Sequence, residues 1–342
     1  MKNLVLALLF LTIFIIGCGN DENDKSADKN TDVKENVTIK KETGPLVKMR
    51  YKFTKGDKFS YKLTTIANNK EEINADTSFS NSIIQTAIYN MNFVVKDVSE
   101  YNIADLEVRV NSIVAETDYN GQKLKYDSKF MYSKREKAQF VDYEAVKKVP
   151  FRISVNEIGQ VLKVEKIDRI MRNFLTMQNI PDTLSTSTKE KMRMNIANGT
   201  LMPLTQQIFK VVAEKKVGVD SIWQLKYSTP LAIYNVENTA IFKVTNLDFA
   251  ADSLVTISSS LVINVAGDDV LNEKGVKYTF VKPNLDAYGS VKYNLSRGLV
   301  ENSESNTKLV MSMTMEGFDS SNKPLKSSKN DFSNNTNIVE LL

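Results

Sequence analysis

The sequence predicts a mainly β, antiparallel fold in two similar curved sheets or half-barrels, with a short helical insert between them. Three observations carry this. Long stretches alternate apolar and polar residues, the period of a strand with one wet and one buried face. Turn-forming residues such as Asn120-Gly121, Glu157-Ile158-Gly159 and Arg297-Gly298 separate those stretches. Helical periodicity is confined to the middle of the chain, near residues 166–200.

Taken in order, Val47, Met49, Tyr51 and Phe53 alternate with Lys48, Arg50 and Lys52 and predict a first strand. Phe59, Tyr61 and Leu63 repeat the pattern after the Lys55-Gly56-Asp57 turn. Tyr89, Met91, Phe93 and Val95 follow, then Leu106, Val108 and Val110, then Leu124, Tyr126 and Phe130. The later runs are Phe151/Ile153/Val155, Val255/Ile257/Leu261/Ile263, Val291/Tyr293/Leu295 and Leu309/Met311/Met313/Met315. One wet face per strand argues for antiparallel pairing.

Asp142–Val146 is at most a short helical turn. Lys166–Ile180 is a helix, because Ile167, Ile170, Met171, Phe174 and Leu175 fall on one face and Pro181 stops the run. A second helix is expected from Ser187, with Glu190 three residues on as a capping box, to near Gly199. Residues 203–212 read equally as helix or extended chain. The halves on either side echo one another. Gly56-Asp57-Lys58-Phe59 is matched by Gly218 to Trp223, and Thr86-Ala87-Ile88-Tyr89 by Thr239-Ala240-Ile241-Phe242, which suggests a duplicated fold.

The chain start sets its destination. Lys2 precedes an apolar run from Leu4 to Ile16, too short to span a bilayer, and Gly17-Cys18 closes it like a lipobox. Cys18 is the single cysteine, so it is the expected lipidation site. Residues 19–45 are rich in Asn, Asp, Glu, Lys and Thr and poor in apolar side chains, the composition of a disordered tether. The expected organisation is therefore a signal peptide (1–17), lipidated cysteine and tether (18–45), N-terminal β half (46–165), helical connection (166–215) and C-terminal β half with a polar tail (216–342). A lipid-anchored location at the outer membrane, facing the periplasm or the cell surface, follows from Gly19 standing where an inner-membrane lipoprotein would carry aspartate.

Composition excludes several chemistries. The chain has no histidine, which removes Ser-His-Asp and Cys-His catalysis and imidazole-based zinc sites. Ser305/Lys308 and Ser320/Lys323 have Ser-x-x-Lys spacing but lie in polar stretches, and Asp248/Asp252 and Asp268/Asp269 lack the pattern of a calcium loop. No Gly-rich phosphate loop occurs among the 13 glycines, and the net charge of +4 is spread without a basic stripe, so no nucleic-acid partner is expected. No catalytic residues, metal ligands or cofactors are nominated. The leading expectation is a non-enzymatic module that binds an envelope protein or glycan. The alternative is a carrier or sensor of lipid-like ligands, its cavity lined by Ile167, Ile170, Met171, Phe174, Met311 and Met313. A third is a carboxylate-based glycosidase, for which no pair of carboxylates stands out.

Gly56-Asp57-Lys58-Phe59-Ser60-Tyr61-Lys62, Asp142-Tyr143-Glu144-Ala145-Val146 before Phe151-Arg152-Ile153, and Gly159 to Val164 resemble a family of uncharacterised secreted lipoproteins of the Bacteroidota. Val217-Gly218, Asp220 and Trp223 are similar to its Val-Gly-Asp-x-Trp segment, with Val219 intervening, and Tyr293-x-Leu295-x-x-Gly298-Leu299-Val300 also fits. The resemblance implies a fold, several acyl chains at the anchor, and no assigned reaction. Asp182-Thr183-Leu184, Asp220-Ser221-Ile222 and Asp252-Ser253-Leu254 resemble O-glycosylation sites of that phylum, with Thr183, Ser221 and Ser253 as acceptors.

Overall fold

The computed structural model describes residues 44–181, 183–250, 253–273, 275–318 and 323–342; the signal segment, Cys18 and residues 19–43 of the tether lie outside them. Among these residues the chain forms β1 (Lys58–Asn74), β2 (Ser78–Val98), β3 (Ala104–Tyr119), β4 (Gln122–Asp127), β5 (Phe151–Val155) and β6 (Val161–Glu165). After the helices come β7 (Ile222–Leu231), β8 (Tyr234–Asp248), β9 (Leu254–Ala266), β10 (Val270–Glu273), β11 (Val276–Asn294), β12 (Leu299–Phe318) and β13 (Pro324–Leu341). All join one antiparallel sheet in the order β6-β5-β3-β2-β1-β13-β12-β11-β9-β8-β7, with β4 beside β3 and β10 beside β11; it does not close into a barrel.

The mainly β, antiparallel fold is what the alternation predicts. Each half is a meander, and the echoed segments fall at matching places, at the opening of β1 and β7 and within β2 and β8. The halves are not two sheets, however. Pairing from Tyr61↔Leu341 to Asn74↔Ser328 fuses them edge to edge. The polar tail is thus β13, a central strand. Its Ser- and Asn-rich sequence hides it because, apart from Val339 and the polar Asn335, both of its faces are partly wet, so no apolar face need alternate. Side-chain bonds replace apolar contacts there: Asn306 Nδ2 donates to Asn334 Oδ1 and Thr336 Oγ1, both at 2.8 Å.

Other expectations shift. Residues 47–53 alternate as predicted, with Met49 and Tyr51 buried, yet form no strand. Their backbone bonds go to three separate segments instead: Val47 forms an isolated bridge with Val217, Tyr51 N donates to Glu157 O and Lys52 N to Gly298 O. Phe130 lies past the end of β4 and is 66% exposed. Leu295 likewise follows the end of β11, packed against the core. The helices are α1 (Lys134–Gln139), α2 (Val141–Glu144), α3 (Asp168–Met177), α4 (Thr186–Ile196) and α5 (Met202–Gln206). Ser185, not Ser187, caps α4, accepting from Thr188 N at 3.1 Å. Gly199 does not stop the helix, because a π turn over Ala197–Leu201 carries the chain into α5. Residues 203–206 resolve as helix.

Candidate functional site: the inner face of the sheet

The register sorts the inner face into rows that cross the strands. At one end the rows are apolar and covered. Phe59, Tyr61, Leu63, Tyr89, Met91, Phe93, Val108, Val110, Val291, Tyr293 and Val339 are buried there. The cover is α3, α5 with the non-helical segment that follows it to Ala213, and residues 47–53. Phe209, fully buried, sits at its centre, with ring centroids 5.7 Å from Tyr51, 5.4 Å from Phe93, 6.2 Å from Phe53 and 6.4 Å from Phe59. Such edge-on contacts add to area burial.

Buried and half-buried polar side chains hold this cover together and tie it to the sheet. Gln206 accepts from Val161 N at 2.8 Å and donates to Gly159 O at 3.0 Å and to Phe209 O. Arg50 reaches Met49 O at 2.7 Å, Ala213 O at 2.8 Å, Glu157 Oε1 at 2.8 Å and Glu214 O. Glu144 accepts from Tyr126 OH at 2.7 Å and from Lys147 Nζ at 2.5 Å. Half-buried Lys210 lies at the rim of the cover, where loss of water pushes its amine down to about 8.

The strands run on past this cover. β2 has 21 residues, about 70 Å at ~3.3 Å per residue, but its buried residues lie between Ala87 and Val95. Two rows come next on the inner face, the first mostly small and polar, the second with Asn335 and Thr307 among apolar neighbours. One holds Thr65, Asn337, Ser305, Gly289 and Ser259; the other holds Ala67, Asn335, Thr307, Ala287 and Leu261. Gln207, 4% exposed, projects over them, and the cleft between holds about 50 Å3. Beyond this band the inner face is apolar again on the second half. Ile263, Leu285, Met311 and Met313 are half-buried there, beside buried Leu309, while Leu225 and Tyr227 pack against the covered core. The face therefore has an apolar covered end, a polar waist and an uncovered end that is apolar on the second half and charged on β13 and β1, where Lys329 pairs with Glu71 and Asp331.

The nominated residues divide between these regions. Ile167 and Ile170, each 1% exposed, and Met171 at 8% are buried, the first two within the core cluster, and Phe174 packs against it. The helix stripe is thus core, not cavity lining. Met311 and Met313 do stand on the uncovered inner face, in register with Asp331 and Lys329 of β13. Ser305 and Lys308 are three apart on a strand and so face opposite sides of the sheet. Ser320, Asp182 and Asp252 lie outside the described residues. Asp269 Oδ1 accepts from Tyr234 OH at 2.9 Å. Of the acceptor sites, Thr183 is exposed and Ser253 half-buried. Ser221 is only 1% exposed and its Oγ accepts from Gly218 N at 2.9 Å, which leaves no room for a sugar on the folded protein. Asn335, Thr307 and Gln207 carried no signal in the sequence, since isolated polar residues in polar stretches resemble any wet strand.

The profile of a family of unknown function (DUF6263) matches residues 101–300, more than half of the chain. The chain belongs to that family. The DUF6263 match runs from the turn before β3 to the opening of β12, so it takes in the helical cover and most of the second half. No curated protein matches. Among solved structures, a lipovitellin chain described for its lipid–protein interactions is similar at 9% identity and a TM-score of 0.40, over 85% of this chain and 25% of that one. The chain thus spans about a quarter of the lipovitellin chain's length. OccK7 (OpdD) of Pseudomonas aeruginosa is 8% identical over 84% of this chain and 99% of its own, at a TM-score of 0.20. OpdL of the same organism gives 8%, 83% and 98% at 0.18.

Proposed function

We propose that this DUF6263 protein is a non-enzymatic binding module of the bacterial cell envelope whose inner sheet face holds a lipid-like ligand. It is held at the outer membrane by lipid on Cys18, on the periplasmic or the surface side, and needs no cofactor and no nucleic acid. One observation carries the reading. The inner face continues past its cover with half-buried apolar side chains, Ile263, Leu285, Met311 and Met313, none of which packs against the covered core. An uncovered apolar face of this kind marks a binding surface. Its methionines adapt to flexible chains. The lack of histidine and of a second cysteine supports a non-enzymatic role.

The test is native mass spectrometry of residues 44–342, which hold every element described above, purified from the organism's own envelope. A lipid-sized adduct is expected, lost in Leu285→Arg while circular dichroism stays unchanged. A bare mass for the unaltered protein overturns the reading and returns attention to a protein partner.

A further inference from the structure

Resting on that reading, we propose that the polar waist of the inner face seats a neutral, hydrogen-donating group, a hydroxyl or an amide N–H, at one end of the hydrophobic ligand. The seat is built from the facing pair Asn335 and Thr307, with Ser305, Asn337 and Ser259 beside them and Gln207 above. Asn335 is 8% exposed, and its Oδ1 is buried without a partner. Its amide is oriented by a chain of bonds. Ser333 Oγ gives its one proton to Asn69 Oδ1 at 2.7 Å and so accepts from Asn335 Nδ2 at 3.0 Å, which turns Oδ1 away from both. A buried carbonyl left this way wants a donor, and no hydroxyl or amide of the two rows bonds it.

The floor is kept open by Gly289. A Cβ there would stand 2.7 Å from Glu304 O and 3.0 Å from Ser259 Oγ, so the strands close up with no side chain between them. The cleft of about 50 Å3 fits one small polar group and is too small for a sugar ring. Neither row carries a charged side chain, and the nearest cation, Lys210, is turned to Gln207 Oε1 at 3.5 Å, so a carboxylate or phosphate would meet the lone pairs of Asn335 with no charge in the rows to offset it. The ligand class is therefore an acyl chain ending in a hydroxyl or amide, as in a monoacylglycerol.

The experiment titrates residues 44–342 with three probes of equal chain length: a 1-monoacylglycerol, the fatty-acid methyl ester and the free fatty acid. The readout is fluorescence of the single tryptophan, Trp223, which is buried at the β7 end of the same row and stacks on Phe242 at 5.3 Å. The monoacylglycerol should bind about tenfold tighter than the methyl ester, the worth of one hydrogen bond to a buried acceptor. Asn335→Leu should bring the two within about twofold while leaving the ester's affinity unchanged. Should Asn335→Leu fail to fold, Thr307→Val, directly opposite, should cut the preference several-fold. Equal binding of monoacylglycerol and ester by the unaltered protein overturns the seat and leaves the apolar reading standing. A preference that survives in folded Asn335→Leu, or tighter binding of the free fatty acid, also overturns it. No binding of any probe overturns both.

Discussion

Raising the pH past the ordinary tyrosine range should unfold this protein. Tyr51, Tyr61, Tyr89, Tyr126, Tyr143 and Tyr293 are all buried. Burial pushes the Tyr143 phenol up to about 12 and the other five well above their ordinary value, with Tyr126 raised further by its bond to Glu144. In the unfolded chain each ionises near 10.0. Above that pH the unfolded chain holds fewer protons than the folded one, so stability falls as pH rises. At about pH 11 the loss is ~1.4 kcal/mol per tyrosine, or roughly 8 kcal/mol for six. That rivals the whole stability of a typical domain, about 5–15 kcal/mol. The urea midpoint should therefore drop steeply between about pH 10 and pH 11, and the tyrosinate absorbance of these six should appear together with loss of the sheet's circular dichroism. Tyr61→Phe should flatten the slope by about one sixth, at the cost of the bond to Val300 O. Titration of all 13 tyrosines near pH 10.0 in a protein that stays folded would refute the reasoning.

Two further outcomes concern the cover. Gly159 has φ +89°, and a Cβ would stand 2.3 Å from Tyr51 Cε2 and 2.5 Å from Lys210 O, so Gly159→Ala should cost about 2–4 kcal/mol. Thermal melts would read this as a drop of several degrees; an unchanged melt would mean that the Tyr51 contact gives way freely. Gln206→Leu leaves Val161 N and Gly159 O without partners and should cost ~1–3 kcal/mol for each group that water cannot reach. Urea denaturation checks this, and a loss below about 0.5 kcal/mol would show that solvent replaces the amide.

Much of the fold was legible where one face is dry. Phe59/Tyr61/Leu63, Tyr89 to Val95 and Leu106 to Val110 alternate because burial on the covered end demands it, and these became β1, β2 and β3. Past the cover that demand lapses, so the distal reaches of β1 and β2 and all of β13 except its end carry little alternation. Residues 47–53 mislead for the opposite reason. Their buried side chains alternate, but the backbone bonds that would make a strand are divided among an isolated bridge and two turns. The stripe on α3 was visible, yet periodicity cannot tell a core from a cavity. The waist was invisible, because Asn335, Thr307, Ser305 and Gly289 meet only through pairings between distant segments.

The central place of β13 also orders events in time. β1 can pair with β2 as soon as both exist, but its other edge waits for residues 250 positions beyond its own end, from Asn74 to Pro324. At a synthesis rate of ~5–20 residues per second, that interval is roughly 12–50 s. A long unpaired edge is a template for joining a neighbouring chain. The far part of β1, Asn68-Asn69-Lys70-Glu71-Glu72, sets two acids and a lysine along that edge, and charge there discourages the wrong partner. The same polar residues that cost β1 its alternation protect the nascent chain until its last strand arrives.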